Sequence, residues 1–312
     1  MAQPGNSDVR LPAKSLAIGV LGIVALVASG CESAGVARET VFVTSTVATV
    51  TGEPAQPGEA PLPERTGVAV TQSPHLETGA MANDSAAMLD RIVGQRAGIA
   101  LTPAGGDGQI LTAGVWQDGV AWSTIKVPLA IAATRVDQQT AGSASSAIRD
   151  SDNTAAESLW AALGGGASAS RAVTEVLAEG GVTGAPVPAV RTRAEYSIFG
   201  QTRWSLVDQA RFAGALPCLD AAGPVVELMG EVSQDQRWGL GRIPGARFKG
   251  GWGPGESGGY LVRQYGLVPG VDGDVAVAMA VDAPSFEAGV AALSAMADAL
   301  APELSTIRGG RC

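Results

Sequence analysis

Apolar positions change period along the chain, and each change marks an element. In "SAAMLDRIVGQ" Met88, Leu89, Ile92 and Val93 fall on one helical stripe. "AGIALTP" and "QILTAGVW" then read as two strands joined through the turn residues "GGDG". A mostly apolar helix follows over about 124–136, then a link rich in Ser, Ala and Gly. Further helices are predicted near 152–163, 168–180, 205–216 and 222–232. The pattern returns to strands over about 246–252, 260–267 and 275–282. A last helix over 285–300 carries Phe286, Val290, Leu293, Met296 and Leu300 on one face.

The order is therefore one helix and two strands, several helices, three strands and a helix. It predicts an α/β (α+β) domain over 84–312, with a five-stranded sheet completed by both ends of that span. Helices flank the sheet, and a helical block is inserted between its strands.

Residues 1–31 read as an export signal: Arg10 and Lys14 precede an apolar run from Leu16 to Val27. That run is short for a membrane span. "ASGC" resembles the bacterial lipobox, which implies a lipid on Cys31 and a protein tethered outside the cytoplasm to the cell membrane, or secreted if Cys31 is unmodified. Residues 32–83, rich in Thr, Val, Ala, Pro and Gly, lack helical period and read as a disordered spacer. Cys218 and Cys312 form an even pair in an exported chain, so a disulfide is permitted, with two free thiols as the alternative.

The formal charge of -9 and the absence of any cationic run argue against nucleic acid as a partner. His75, the one histidine, falls in the spacer, which removes a Ser-His-Asp triad from the domain. No His/Cys cluster has zinc-site spacing, and no metal or cofactor is expected. Lysine is scarce, with Lys14, Lys126 and Lys249 set against 18 arginines. A lysine kept under that bias suits chemistry that needs a neutral amine, which guanidinium does not supply.

Three short motifs carry candidate chemistry. "STIK" places Lys126 one helical turn after Ser123, in apolar surroundings that lower an amine's pKa. A neutral lysine beside a serine hydroxyl is a general base next to a nucleophile. The same residues also suit a helix cap followed by an ordinary lysine. "SDN" over 151–153 suits a cap as well, and "KGGWG" from Lys249 suits a strand leaving for a turn.

In this order the three motifs resemble S-x-x-K, S-D-N and K-[TS]-G of the penicillin-recognising serine hydrolases, the class A β-lactamases and penicillin-binding proteins. The resemblance covers roughly 84–303 and implies a β-lactamase/transpeptidase-like fold. It implies that Ser123 is acylated, Lys126 takes its proton, and Ser151 passes a proton to the leaving group. It further implies that Asn153, Lys249, Gly250 and Gly251 hold the substrate. The N–H groups of Ser123 and Trp252 would form the oxyanion hole. The implied substrates are a β-lactam, a peptidoglycan-like peptide or an ester.

Two departures stand against full activity. Gly250 replaces the hydroxyl residue that helps bind the substrate carboxylate in that family. The region before the helix at 205 has Glu195 but no E-x-x-x-N spacing, which puts class A deacylation in doubt. Ser123 and Ser151 are also closer in sequence than is usual, so the helical subdomain is expected to be trimmed. The sequence thus favours a serine hydrolase of the cell envelope, with a non-catalytic binding or scaffolding lipoprotein of the same fold as the alternative. Of the six tryptophans, Trp116, Trp160, Trp204 and Trp238 read as packing, and Trp122 and Trp252 as walls of a cleft.

Overall fold

The computed structural model describes residues 87–106, 108–256 and 258–312. The export signal, Cys31, the spacer and His75 lie outside the described residues.

Residues 87–92 are helical (α1) and lead into β1 (Ala97–Pro103) and β2 (Leu111–Gly114). The chain returns late for β5 (Arg247–Pro254), β6 (Tyr260–Gly270) and β7 (Gly273–Ala283). The five strands form one antiparallel sheet in the order β2-β1-β7-β6-β5. Both ends of the domain thus meet at its centre, with Ile99 opposite Met279.

The two faces of the sheet differ in side-chain size. In β7, Ala276, Ala278 and Ala280 point to one core, while Val275, Val277, Met279 and Val281 point to the other. That is the two-residue alternation of a strand buried on both faces. The alanine face lets α6 (Leu206–Ala215) lie close against the sheet, where a Cβ on Gly214 would sit 3.7 Å from the Ala276 methyl. The bulky face packs on α8 (Phe286–Leu300) through Leu293, Met296, Ala297 and Leu300.

The helical block is α2 (Lys126–Val136), α3 (Ala141–Arg149), α4 (Asn153–Ala162), α5 (Gly166–Glu179) and α7 (Gly223–Gly230). Every residue of α2 from Lys126 to Ala133 is buried, as befits a helix apolar all round. Side-chain caps start three helices: Asp152 Oδ1 accepts from Ala155 N, Ser205 Oγ from Asp208 N and Ser285 Oγ from Ala288 N.

Three features depart from the sequence reading. The Ser/Ala/Gly-rich link is largely the helix α3, whose buried face of Ala144, Ala147 and Ile148 is too small in side chain to show as a stripe. β3 (Asp118–Val120) and β4 (Arg203–Ser205) form a separate two-stranded sheet, each too short for a period to register. The helix expected from 124 begins as a 3-10 turn over Trp122–Ile125, and α2 proper starts at Lys126.

Cys218, which ends the 3-10 turn after α6, is joined to Cys312, with Cα atoms 5.2 Å apart. The chain before Cys312 pairs with the sheet's end, where Gly310 and Asp274 exchange N–H···O=C bonds of 2.9 Å. The bond thus closes a span of 94 residues.

Candidate active site

Ser123 sits inside the 3-10 turn and caps neither that turn nor α2, since neither has a side-chain cap. The turn is fixed by its neighbours. Trp122 takes a left-handed φ of 50°, uncommon outside glycine. Thr124 Oγ1 donates to Ala121 O, and Gln209 Nε2 donates to Thr124 Oγ1 at 3.0 Å. Gln209 Oε1 accepts from Arg263 Nη2 at 2.9 Å, so the turn is tied to the middle of β6. Backbone strain held in place by surrounding bonds is a recurrent feature of reactive sites.

The strand β5 closes on this turn at Gly251. A Cβ there would stand 2.9 Å from Ser123 N, Thr124 N and Ala121 O, so only glycine allows the approach. β5 is an edge strand, and its open edge faces the site: Gly250 O accepts from Lys249 Nζ at 3.0 Å. By strand alternation Trp252, two residues on, presents its N–H to the same edge. The structure therefore brings the two expected oxyanion donors, Ser123 and Trp252, to one wall.

"SDN" does two jobs. Asp152 caps α4, while Ser151 and Asn153 turn to the lysines. Ser151 is itself left-handed, with φ 55°. Gln236 Nε2 fixes the preceding carbonyl, Asp150 O, at 3.0 Å, and Ser233 Oγ donates to Asp150 Oδ1.

Lys126 Nζ donates to Asn153 Oδ1 at 2.7 Å and to Ser151 O, and lies 3.4 Å from Ser151 Oγ. Burial lowers its pKa to about 7, against the raising effect of Asp152 and Glu157. A neutral amine has two N–H donors and one lone pair. The two close acceptors use the donors and leave the lone pair for a hydroxyl. Lys249 Nζ donates to Ser151 Oγ at 2.9 Å, and its pKa is pushed well down by burial and by Lys126. Among the described residues Ser123 Oγ makes no hydrogen bond, so the Ser123 to Lys126 contact is not closed. Catalytic hydrogen bonds of this kind often tighten only once substrate binds.

The cleft in front of Ser123 has a volume of about 380 Å³. Trp122 and Trp252 wall it, as the sequence suggested, and the sequence-flagged Asn153 and Glu195 line it. Sequence reasoning missed Glu157, Arg191, Tyr196, Ser197 and Tyr260. Glu157 had a signal, being one helical turn after Asn153 and so on the same face of α4. Arg191 had none, and its pair with Glu157 at 3.8 Å crosses from the loop over 191–198 to the helix.

That loop is stitched by one buried side chain that the sequence did not reveal. Gln201 Oε1 accepts from Arg193 N at 2.8 Å, Thr192 N at 3.1 Å and Thr192 Oγ1. Its Nε2 donates to Arg193 O, Tyr196 O and Ser197 O at 3.0–3.1 Å. Leucine at 201 would leave these loop groups unpaired, each costing about 1–3 kcal/mol where water cannot replace the amide. We expect Gln201→Leu to speed amide hydrogen exchange over 191–198 while α2 and the sheet stay protected.

Solved structures with this architecture include class A β-lactamases. A variant of the last common ancestor of Gram-negative bacteria β-lactamase class A aligns over 73% of this chain and 99% of its own, with TM-score 0.53 and 20% identity. A β-lactamase from Chitinophaga pinensis aligns over 71% and 98%, with TM-score 0.55 and 16% identity. One from Sphaerobacter thermophilus aligns over 73% and 98%, with TM-score 0.54 and 18% identity. The chain has the class A β-lactamase-like fold. No protein-family model matches it, and no curated protein does.

Proposed function

We propose that this protein is a serine hydrolase that forms an acyl-enzyme at Ser123 on an ester or amide. The observation that carries the reading is the pair of buried lysines, Lys126 and Lys249, bonded to the half-buried Ser151 and to Asn153 beside a serine on a strained turn. Structural neighbours named as β-lactamases support it. In the acylation step the Ser123 proton passes to the Lys126 lone pair as Oγ bonds to the carbonyl carbon. The N–H groups of Ser123 and Trp252 receive the developing oxyanion. The proton held by Lys126 then passes through Ser151 Oγ to the leaving oxygen or nitrogen as its bond to carbon breaks, which returns Lys126 to the neutral amine, while Lys249 holds Ser151 Oγ in place.

Export and lipidation at Cys31 belong to the same proposal and would place the domain at the outer face of the cell membrane. A Cys31→Ala protein is then expected to leave the membrane fraction.

A binding or scaffolding role without turnover is favoured by one observation, the absence of a Ser123 Oγ hydrogen bond. Treating the full chain with a fluorophosphonate and with a fluorescent penicillin, and reading intact mass, separates the two. An adduct that disappears in Ser123→Ala supports the hydrolase. No adduct from either reagent supports the binding role.

A further inference from the structure

Glycine at 250 is more than a missing hydroxyl. A Cβ built there would lie 3.2 and 3.3 Å from two ring carbons of Trp238 and 3.6 Å from Trp252. A serine or threonine there fits only if the indole gives by a few tenths of an ångström. Trp238 is held by edge-on contacts to Trp252 and Phe286, both with centroids 6.0 Å away, and Tyr260 stacks edge-on to Phe286 at 6.1 Å. Trp252 of β5 and Tyr260 at the start of β6 thus line the cleft partly exposed, with Trp238 and Phe286 packed behind them.

The charges in the cleft agree. Glu157 and Glu195 line it, and the one lining cation, Arg191, is engaged by Glu157 and by Ala194 O at 3.2 Å. Lys249 is fully buried and spends its donors on Ser151 Oγ and Gly250 O. A carboxylate entering here meets Glu195, with Glu157 already paired to Arg191 and the Arg193 guanidinium stacked 4.4 Å from the Tyr196 ring, and finds no hydroxyl at 250; a desolvated anion without partners is costly. A flat ring instead finds indole and phenol faces.

Building on the hydrolase reading, we propose that the leaving group accepted by this site carries no carboxylate and is aromatic. The wall of Trp252 and Tyr260, with Trp238 packed behind Gly250, sets that preference.

Phenyl phenylacetate and 3-carboxyphenyl phenylacetate differ only by the carboxylate on the leaving phenol. With the full chain we expect kcat/KM for the uncharged ester to exceed that for the charged one by about tenfold or more. In a Trp238→Ala/Gly250→Thr double variant the gap should narrow. If that variant does not fold, the ratio measured on the natural sequence decides alone. Equal or faster hydrolysis of the charged ester, with Ser123 labelled by fluorophosphonate, overturns this preference and leaves the hydrolase reading intact. No labelling and no hydrolysis of either ester overturns both.

Discussion

The Lys126→Met protein is expected to be phosphonylated at Ser123 about 10²–10⁴-fold more slowly than the natural sequence, the span of a lost general base. Methionine keeps the length and apolar contacts of the stem and removes only the amine. Lys126 is 1% exposed at the start of α2, among Ile125, Val127 and Leu129, and that burial lowers its pKa. The sign follows directly. The folded-state value of about 7 lies below the ordinary 10.5, so between those limits the unfolded chain binds the proton and the folded one does not. Stability contributed at this position therefore rises with pH across that window and is level at its lowest below about 7, where both states carry the proton. The methionine variant should lose that pH dependence of stability along with its reactivity. Circular dichroism run beside the labelling separates a lost base from a lost fold.

The second large effect is structural. Arg263→Ala is expected to destabilise the domain by about 3–5 kcal/mol, the cost of several buried acceptors left unpaired together with a cavity. The side chain is fully buried in β6 without a carboxylate, and burial brings its pKa down to about 9. Its Nη1 donates to Gly119 O at 3.0 Å and Val120 O at 3.1 Å, and its Nη2 to Trp204 O at 2.8 Å and Gln209 Oε1. The guanidinium also lies 5.1 Å from the Trp116 ring. Alanine would orphan three backbone carbonyls and an amide and open a cavity. Because Gln209 passes the contact on to Thr124, the Ser123 turn should loosen with it. Lysine is no remedy, as one ammonium cannot reproduce the planar fork. A thermal midpoint lower by roughly 6–20 °C is the expected reading for a domain of this size. A drop under about 2 °C would show that the network is dispensable.

The site was legible in the sequence where its chemistry lies in short contiguous runs. "STIK" and "SDN" lie at helix starts and "KGGW" within a single strand, and their order along the chain survives any error in element boundaries. The sheet was legible because its three late strands are long runs bounded by turns, and β7 alternates alanine with larger residues. What stayed hidden depends on partners far apart in sequence. Gln201, Trp238 and Arg263 look like an ordinary amide, an ordinary indole and an ordinary cation until the fold places 191–198, Gly250 and Gln209 against them. The turn at Trp122–Ile125 was hidden for another reason. Its residues are helix-compatible, and only contact with Gly251 and the 263 to 209 to 124 chain sets Trp122 left-handed. α3 escaped because alanine packing leaves little hydrophobic contrast.

The account rests on an uncharged amine at 126 drawing the proton from Ser123. The most direct test is the second-order rate of fluorophosphonate labelling at Ser123, followed from pH 5 to 9 in the natural sequence and in Lys126→Met. The rate should climb through a single inflection at about 7 and level off above it in the first, and stay low and flat in the second. Equal rates in the two proteins, or a rate in the natural sequence that does not change across pH 7, would contradict it.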